Sequence, residues 1–189
     1  MNSEQDLHSL KNISKLLAND LNFIQAAGGN TSVKNETDIF VKGSGKWLID
    51  CLSDEVFCKL SLEKAKNHAQ LLQDNNFQGF VKKGSIKPSM ETGLHAIMHG
   101  KYVLHFHHLR TLALMCFEED YREKLSSIFF GYDIHFAPFI APGLNITKYI
   151  LENKIENIEI VFLENHGVIV SSNSLERIED ILNIFRSEL

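Results

Sequence analysis

The tract Tyr102-Val103-Leu104-His105-Phe106-His107 ends an apolar run in two histidines one residue apart, shortly after Pro88-Ser89-Met90-Glu91-Thr92. Side chains alternate between the two faces of a β-strand, so His105 and His107 point the same way and can grip one metal ion. A nearby carboxylate would then move protons for that metal's substrate. The chain is thereby constrained to a sheet that carries chemistry on one face of a strand.

The surrounding pattern predicts what packs on that sheet. Leu7, Leu10, Ile13, Leu16 and Leu17 recur at helical spacing, and this helix is expected to end near Asn19-Asp20, ahead of the Gly28-Gly29 break. Residues 31–34 and 38–42 read as short strands joined by the turn-prone Asn35-Glu36, a hairpin. Residues 61–72 read as a helix capped by Ser61, with Leu62, Ala65, Ala69 and Leu72 on its apolar face. Ser89 is expected to cap a further helix through Leu94, Ile97 and Met98, stopped by Gly100, which places Glu91 in a helical first turn. A helix over 109–117, a strand over 133–137, a helix over 146–151, strands over 159–163 and 167–171, and a closing amphipathic helix over 174–185 follow. Strands interleaved with helices and joined partly by hairpins predict helices packed on a mostly antiparallel sheet.

Composition narrows the function. With 189 residues, 44% hydrophobic and 23% charged, the chain is expected to form one domain over residues 1–189. A net charge of −5 and a pI near 6.0 give no general attraction for nucleic acid or anionic lipid, so a small ligand is the expected partner. No apolar stretch approaches the ~20 residues that span a bilayer, and Met1-Asn2-Ser3-Glu4-Gln5-Asp6 lacks an export signal, so a cytoplasmic location is expected. Cys51, Cys58 and Cys116 are too few and too irregular for a disulfide framework or a zinc knuckle and are expected to be reduced and structural.

A catalytic zinc takes three protein ligands and keeps one position open. His105 and His107 supply two, and Glu164-Asn165-His166-Gly167 puts a third histidine at a sharp turn between apolar strands. Taken alone, a His-x-His pair fits hydrogen-bonded structural histidines as well. His8, His68, His95, His99, His108 and His135 show no such pairing and read as structural or solvent-facing. Small polar turns form a second group: Gly28-Gly29-Asn30-Thr31-Ser32, Gly43-Ser44-Gly45-Lys46, and Ser89. Glycine lets backbone N–H groups converge on an anion and hydroxyls add donors, which suits a phosphate; each turn alone is equally an ordinary turn. Lys42, Lys46 and Lys87 read as solvated surface charges, and Phe106, Phe129, Phe130 and Phe136 as core or interface.

Gly28-Gly29-Asn30-Thr31-Ser32, Val41-Lys42-Gly43-Ser44-Gly45-Lys46-Trp47-Leu48, residues 88–96, Val103-Leu104-His105-Phe106-His107 and Glu164-Asn165-His166-Gly167 occur in the order seen in the class II aldolase/adducin family. Over residues 28–170 the chain resembles, in particular, the aldolases of rhamnulose-1-phosphate and fuculose-1-phosphate. The resemblance implies a three-layer αβα fold with helices on both faces of the sheet, and a cyclic homotetramer with active sites at subunit interfaces. It implies that His105, His107 and His166 hold one Zn2+ per chain, or another divalent metal. It makes Glu91 the catalytic acid/base, and Asn30, Ser44, Gly45 and Ser89 the phosphate ligands.

The implied activity is aldol cleavage or formation on a small ketose phosphate through a metal-stabilised enediolate. Related chemistry leaves as alternatives a decarboxylase of a sugar-derived keto-acid phosphate, a dehydratase, a 4-epimerase and a non-catalytic adducin-like module. Epimerases of the family carry aspartate where Glu91 stands, and adducin-like members lose the metal ligands. Two departures from the pattern are Met90, where a second hydroxyl residue often stands, and the end at Leu189, where relatives commonly continue into a tail that helps shape the pocket. The aldolases also use a tyrosine from an adjacent subunit, a role for which Tyr121 and Tyr132 lie in the right region.

Overall fold

The computed structural model describes residues 3–52, 55–83 and 86–189. Tyr102–Phe106 forms the central strand β5 of an eight-stranded sheet. Its alternation divides the molecule: Tyr102, Leu104 and Phe106 enter one hydrophobic core, Val103 enters the other, and His105 shares Val103's face. The other strands are β1 (Asn30–Lys34), β2 (Asp38–Lys42), β3 (Phe57–Ser61), β4 (Val81–Lys83), β6 (Ile134–Ala137), β7 (Ile160–Leu163) and β8 (Gly167–Ser172), in the order β4-β3-β2-β1-β5-β8-β7-β6. Every pairing is antiparallel except β6 with β7.

Helices cover both faces, giving three layers. On one side lie α1 (Ser3–Ala18), α4 (Leu109–Phe117), α5 (Tyr121–Ile128) and α7 (Leu175–Ser187), which bury Leu10, Ile13, Leu17, Met115, Leu125, Ile178 and Phe185. On the other lie α2 (Leu62–Leu71), α3 (Thr92–Ile97) and α6 (Leu144–Asn153), which bury Ala65, Ala69, Leu94, Ile146 and Ile150. The expected αβα architecture with a mostly antiparallel sheet is the observed one. Phe106 is fully buried between the two histidines and meets Phe185 at 5.3 Å and Phe23 at 5.2 Å. Burial of such a ring contributes about 2–3 kcal/mol, so the strand end that presents the histidines is anchored from behind. Among the described residues no helix is long and apolar enough to cross a membrane.

Several elements depart from the sequence reading. Strands β3 and β4 and helix α5 were not expected. β4 is three residues long, too short to show alternation, and α5 buries only Leu125 fully, so its apolar period is faint. Ser61 occupies the N-cap of α2 but makes no side-chain cap bond, whereas Ser174 caps α7 by accepting from the Arg177 N–H. The helix expected to be capped by Ser89 begins at Thr92, and Glu91 is its N-cap. The Ser89 hydroxyl accepts from the Glu91 N–H at 3.2 Å and the Thr92 hydroxyl donates to the Ser89 carbonyl at 2.7 Å, so residues 89–92 close on themselves before the helix starts.

Candidate active site

The β7–β8 hairpin carries its third histidine on a three-residue turn. Leu163 pairs with Gly167, and Asn165 takes the left-handed conformation at φ 57°, which asparagine tolerates. His166 thereby swings to His105 and His107, and one ligand nitrogen from each ring lies within 4.8 Å of the other two. The Nε2 atoms of His105 and His107 are 3.3 Å apart. Two nitrogens bound tetrahedrally to zinc at about 2.05 Å are about 3.4 Å apart, so His105 and His107 stand at the spacing that ion requires. His105 donates from Nδ1 to the Val168 carbonyl at 3.1 Å, which leaves Nε2 as a lone pair aimed at the cluster. Burial pulls His105, His107 and His166 down to about 4, so all three are neutral, the form a metal binds.

Gly167 is required by this crowding. A Cβ there would stand 2.6 Å from the Phe106 carbonyl, 2.9 Å from the His107 ring and 3.2 Å from the His105 ring. Gly167→Ala is expected to lower stability by about 1–3 kcal/mol and to weaken zinc retention, both read from a melt with and without added zinc. A variant with unchanged metal affinity would show that the rings relax freely.

Glu91 supplies the carboxylate. It is buried, with Oε2 3.7 Å from His105 Nε2 and Oε1 3.9 Å from His166 Nε2. Asn30 donates to Oε2 at 2.7 Å, while Oε1 has no hydrogen-bond partner. An orphaned, buried carboxylate oxygen beside three neutral imidazoles is an arrangement that a cation completes.

These groups open on a cleft of about 230 Å³. The Ser89 N–H donates to the Lys42 carbonyl, the Ser44 N–H donates to the Lys87 carbonyl, and Gly43 bridges to Pro88, so the Gly43–Lys46 turn lies against the segment that delivers Glu91. Asn30, Ser44, Gly45, Ser89, Glu91, His107 and His166 all line the cleft, with His105 fully buried beneath them. Gly45 takes φ 71°, a conformation that suits glycine. Met90 lines the cleft and is half exposed.

Lys42 corrects the sequence reading. It is buried rather than solvated, lines the cleft, and donates to the Ala27 carbonyl at 2.7 Å. Burial lowers it to about 8, against the opposing pull of Glu91. Its signal was positional: β2 is buried along its whole length, and Lys42 is the last residue of that strand. Lys46 is partly exposed and Lys87 exposed, as expected.

His95, which reads from the sequence as structural or solvent-facing, is structural. It is fully buried, and burial, followed by the charges of His105, Lys34 and Lys42, holds it well below the usual histidine range. The period-two stripe Asn30, Ser32, Lys34 on β1 faces it: Asn30 and Ser32 meet its ring, and Lys34 donates to its carbonyl at 2.9 Å and to that of Met98. Burial, aided by Lys66, lowers Lys34 from 10.5 to about 7. Between those values the unfolded chain holds a proton that the folded chain does not, so stability rises with pH across the window. Lys34→Met is expected to flatten the dependence of unfolding free energy on pH between about pH 7 and 9 by about 1 kcal/mol per pH unit, measured by denaturant titration. An unchanged slope would mean that Lys34 stays charged in the fold.

Other residues fall outside the cleft. The Tyr121 hydroxyl donates to Glu164, which Arg122 also pairs, and Tyr132 lies under Arg177 at 3.8 Å. His108 faces the opposite core and accepts from the Thr111 N–H as the N-cap of α4. All three cysteines are free, Cys51 and Cys58 buried and Cys116 exposed.

Residues 9–182 match the Class II Aldolase and Adducin N-terminal domain. The chain belongs to the class II aldolase/adducin family. This class II aldolase-type chain is 27% identical over 181 residues to the uncharacterized oxidoreductase YuxG of Bacillus subtilis, the match covering 86% of this chain and 26% of that protein. It therefore spans about a quarter of the length of that curated relative. Among solved structures, it superimposes on the N-terminal class II aldolase domain of a conserved protein from Thermoplasma acidophilum with a TM-score of 0.80 at 22% identity, covering 98% of this chain and 93% of that one. It superimposes on a sugar-phosphate aldolase from Thermotoga maritima with a TM-score of 0.71 at 17% identity, covering 97% and 93%. Both structures share its fold.

Proposed function

We propose that the chain is a zinc-dependent carbon–carbon lyase that makes or breaks an aldol bond in a small ketose phosphate. The observation that carries this reading is the meeting of three neutral histidines with the Glu91 carboxylate, 3.7 Å from His105 and 3.9 Å from His166, beside a polar cleft. His105, His107 and His166 would hold one Zn2+ per chain. Bound there, the ion supplies Lewis acidity that stabilises negative charge on the oxygens of a hydroxyketone.

The protein's own groups do the rest. Glu91 exchanges a proton between its carboxylate and the substrate carbon next to the carbonyl, giving it in cleavage and taking it in synthesis. Ser44, Gly45 and Ser89 bind the phosphate, with Asn30 at the cleft floor, where its amide also steadies Glu91. Lys42 neutralises part of the phosphate charge, which compensates for Met90, a side chain without a strong donor. Lys42 is the one lysine or arginine among the described cleft residues.

The assembly we propose is a cyclic homotetramer in the cytoplasm. Phe117, Phe130 and Phe139 are each exposed, at 86%, 89% and 62%, and are side chains that a partner copy would cover. Light scattering is expected to give about four chains per particle; a monomer at micromolar concentration would remove the tetramer. The activity itself is tested by elemental analysis for metal, then by a screen of ketose phosphates and keto-acid phosphates on the same sample. About one zinc per chain with aldehyde release supports the lyase, carbon dioxide release moves it to decarboxylation, and no metal after reconstitution turns the reading to a binding module.

A further inference from the structure

A carboxylate that exchanges protons must offer the correct oxygen, and the two oxygens of Glu91 are unlike. Oε2 accepts from Asn30 Nδ2 at 2.7 Å, while Oε1 has no partner and lies on the His166 side. What fixes this difference sits one step back. The Asn30 amide oxygen meets His95 Nε2, and His95 Nδ1 meets the Ser32 hydroxyl at 2.7 Å. A neutral imidazole has one donor and one acceptor, and an amide oxygen can only accept. Nε2 must therefore carry the proton, Nδ1 must accept, and the Ser32 hydroxyl must donate. The chain runs in one direction: Ser32 to His95, His95 to Asn30, Asn30 to Glu91. With the Asn30 amide turned over, its oxygen would face the Glu91 carboxylate, a repulsive contact, and its NH2 would face His95 Nε2, which would have to give its proton to Nδ1 and turn the Ser32 hydroxyl into an acceptor.

We propose that His95 is a positioning residue: it locks the Asn30 amide so that Glu91 Oε2 stays an acceptor and Oε1 is the oxygen that carries the exchanged proton. The proposal rests on Glu91 being the acid/base. His95 is well placed for this task because it is held from two sides. Its ring is gripped by Ser32 and Asn30, and its carbonyl accepts from Lys34 Nζ, so the polar stripe of β1 fixes the six-residue helix α3 whose N-cap is Glu91. A helix of that length has too little intrinsic stability to hold a side chain by itself.

The test has two independent arms. In protein labelled with [15N]histidine, prepared without metal and again with zinc, the His95 ring, assigned by its disappearance in His95→Gln, is expected to be the neutral Nε2–H tautomer with a slowly exchanging proton. An Nδ1–H tautomer overturns the proposal whatever the activity. The second arm follows deuterium uptake from solvent into dihydroxyacetone phosphate by the zinc-loaded protein. His95→Leu is expected to lower the maximal exchange rate about 10-fold or more with KM and zinc content little changed. His95→Gln, which restores a donor toward Asn30, is expected to recover most of the rate. A wild-type rate in His95→Leu, or a loss that glutamine does not rescue, overturns the proposal. Should His95→Leu fail to fold, Ser32→Ala removes only the distal bond, and an exchange rate identical to wild type counts against the relay. Absence of exchange in the wild type would tell against the lyase reading, and the tautomer would then decide by itself whether His95 fixes the Asn30 amide.

Discussion

His107→Ala is expected to yield a folded protein that retains no zinc through purification, while His108→Ala, one residue on, is expected to keep its zinc and lose stability. The two histidines have opposite surroundings. His107 follows the end of β5 and is partly exposed at the cleft, with Nε2 3.3 Å from that of His105. Removing it leaves two protein ligands where a catalytic zinc takes three, and affinity is expected to fall by more than the 10- to 100-fold typical of losing a mere supporting hydrogen bond, roughly 1000-fold or beyond. Little of the core goes with it, since the adjacent Phe106 holds the strand end. His108 is 1% exposed, sits 4.8 Å from Phe23 and 5.1 Å from Phe185, and caps α4. Losing that cap and packing is expected to lower stability by about 1–3 kcal/mol. Elemental analysis and thermal melts on both variants read the contrast. Full zinc occupancy in His107→Ala would remove that residue from the ligand set, and equal zinc loss in both variants would mean that the metal responds to general destabilisation.

That contrast was legible in the sequence because strand alternation is a strong local rule: it sent His105 and His107 to one face and His108 elsewhere. The hairpin turn at Glu164–Gly167 was legible for a similar reason, since a histidine between two apolar strands has few places to go. The three-layer arrangement came from family resemblance, as periodicity alone gave only helices on a sheet. The start of α3 lies later than the sequence suggests because Ser89 has the side chain of a cap yet uses it in a tighter turn with Glu91, next to a bridge between Gly43 and Pro88 that no local pattern announces. Lys42 was misread because lysine is almost always solvated, and only the pairing of β2 between β1 and β3 shows that its stem is enclosed. The role of His95 depends on partners 63 and 65 residues away in sequence, Ser32 and Asn30. Contacts of that range leave no periodic trace, although Asn30, Ser32 and Lys34 at alternate positions mark an inward polar stripe on a buried strand, which is an unusual and readable signal.

Glu91→Gln is expected to keep the zinc and most of the stability while turnover falls by roughly 100- to 10,000-fold, the range typical of losing a general acid/base. The structure separates this outcome from the ordinary alternative. A glutamate at the start of a helix often serves as a cap or complements the helix dipole. Glu91 does occupy the N-cap of α3, yet its side chain makes no cap hydrogen bond. It turns instead to Asn30, within 4 Å of two of the three clustered histidines. Glutamine has the same shape, can accept the Asn30 bond through its amide oxygen, and leaves all three histidine ligands in place, so binding should survive. What it cannot do is carry and release a proton at the Oε1 position. Steady-state kinetics on the ketose phosphate found by the screen should therefore show the loss in kcat with KM close to wild type, alongside unchanged zinc content. If turnover stays within a fewfold of wild type, Glu91 is not the acid/base, and the proton must come from a group that the cleft does not yet identify. If KM rises while kcat holds, the carboxylate serves binding alone.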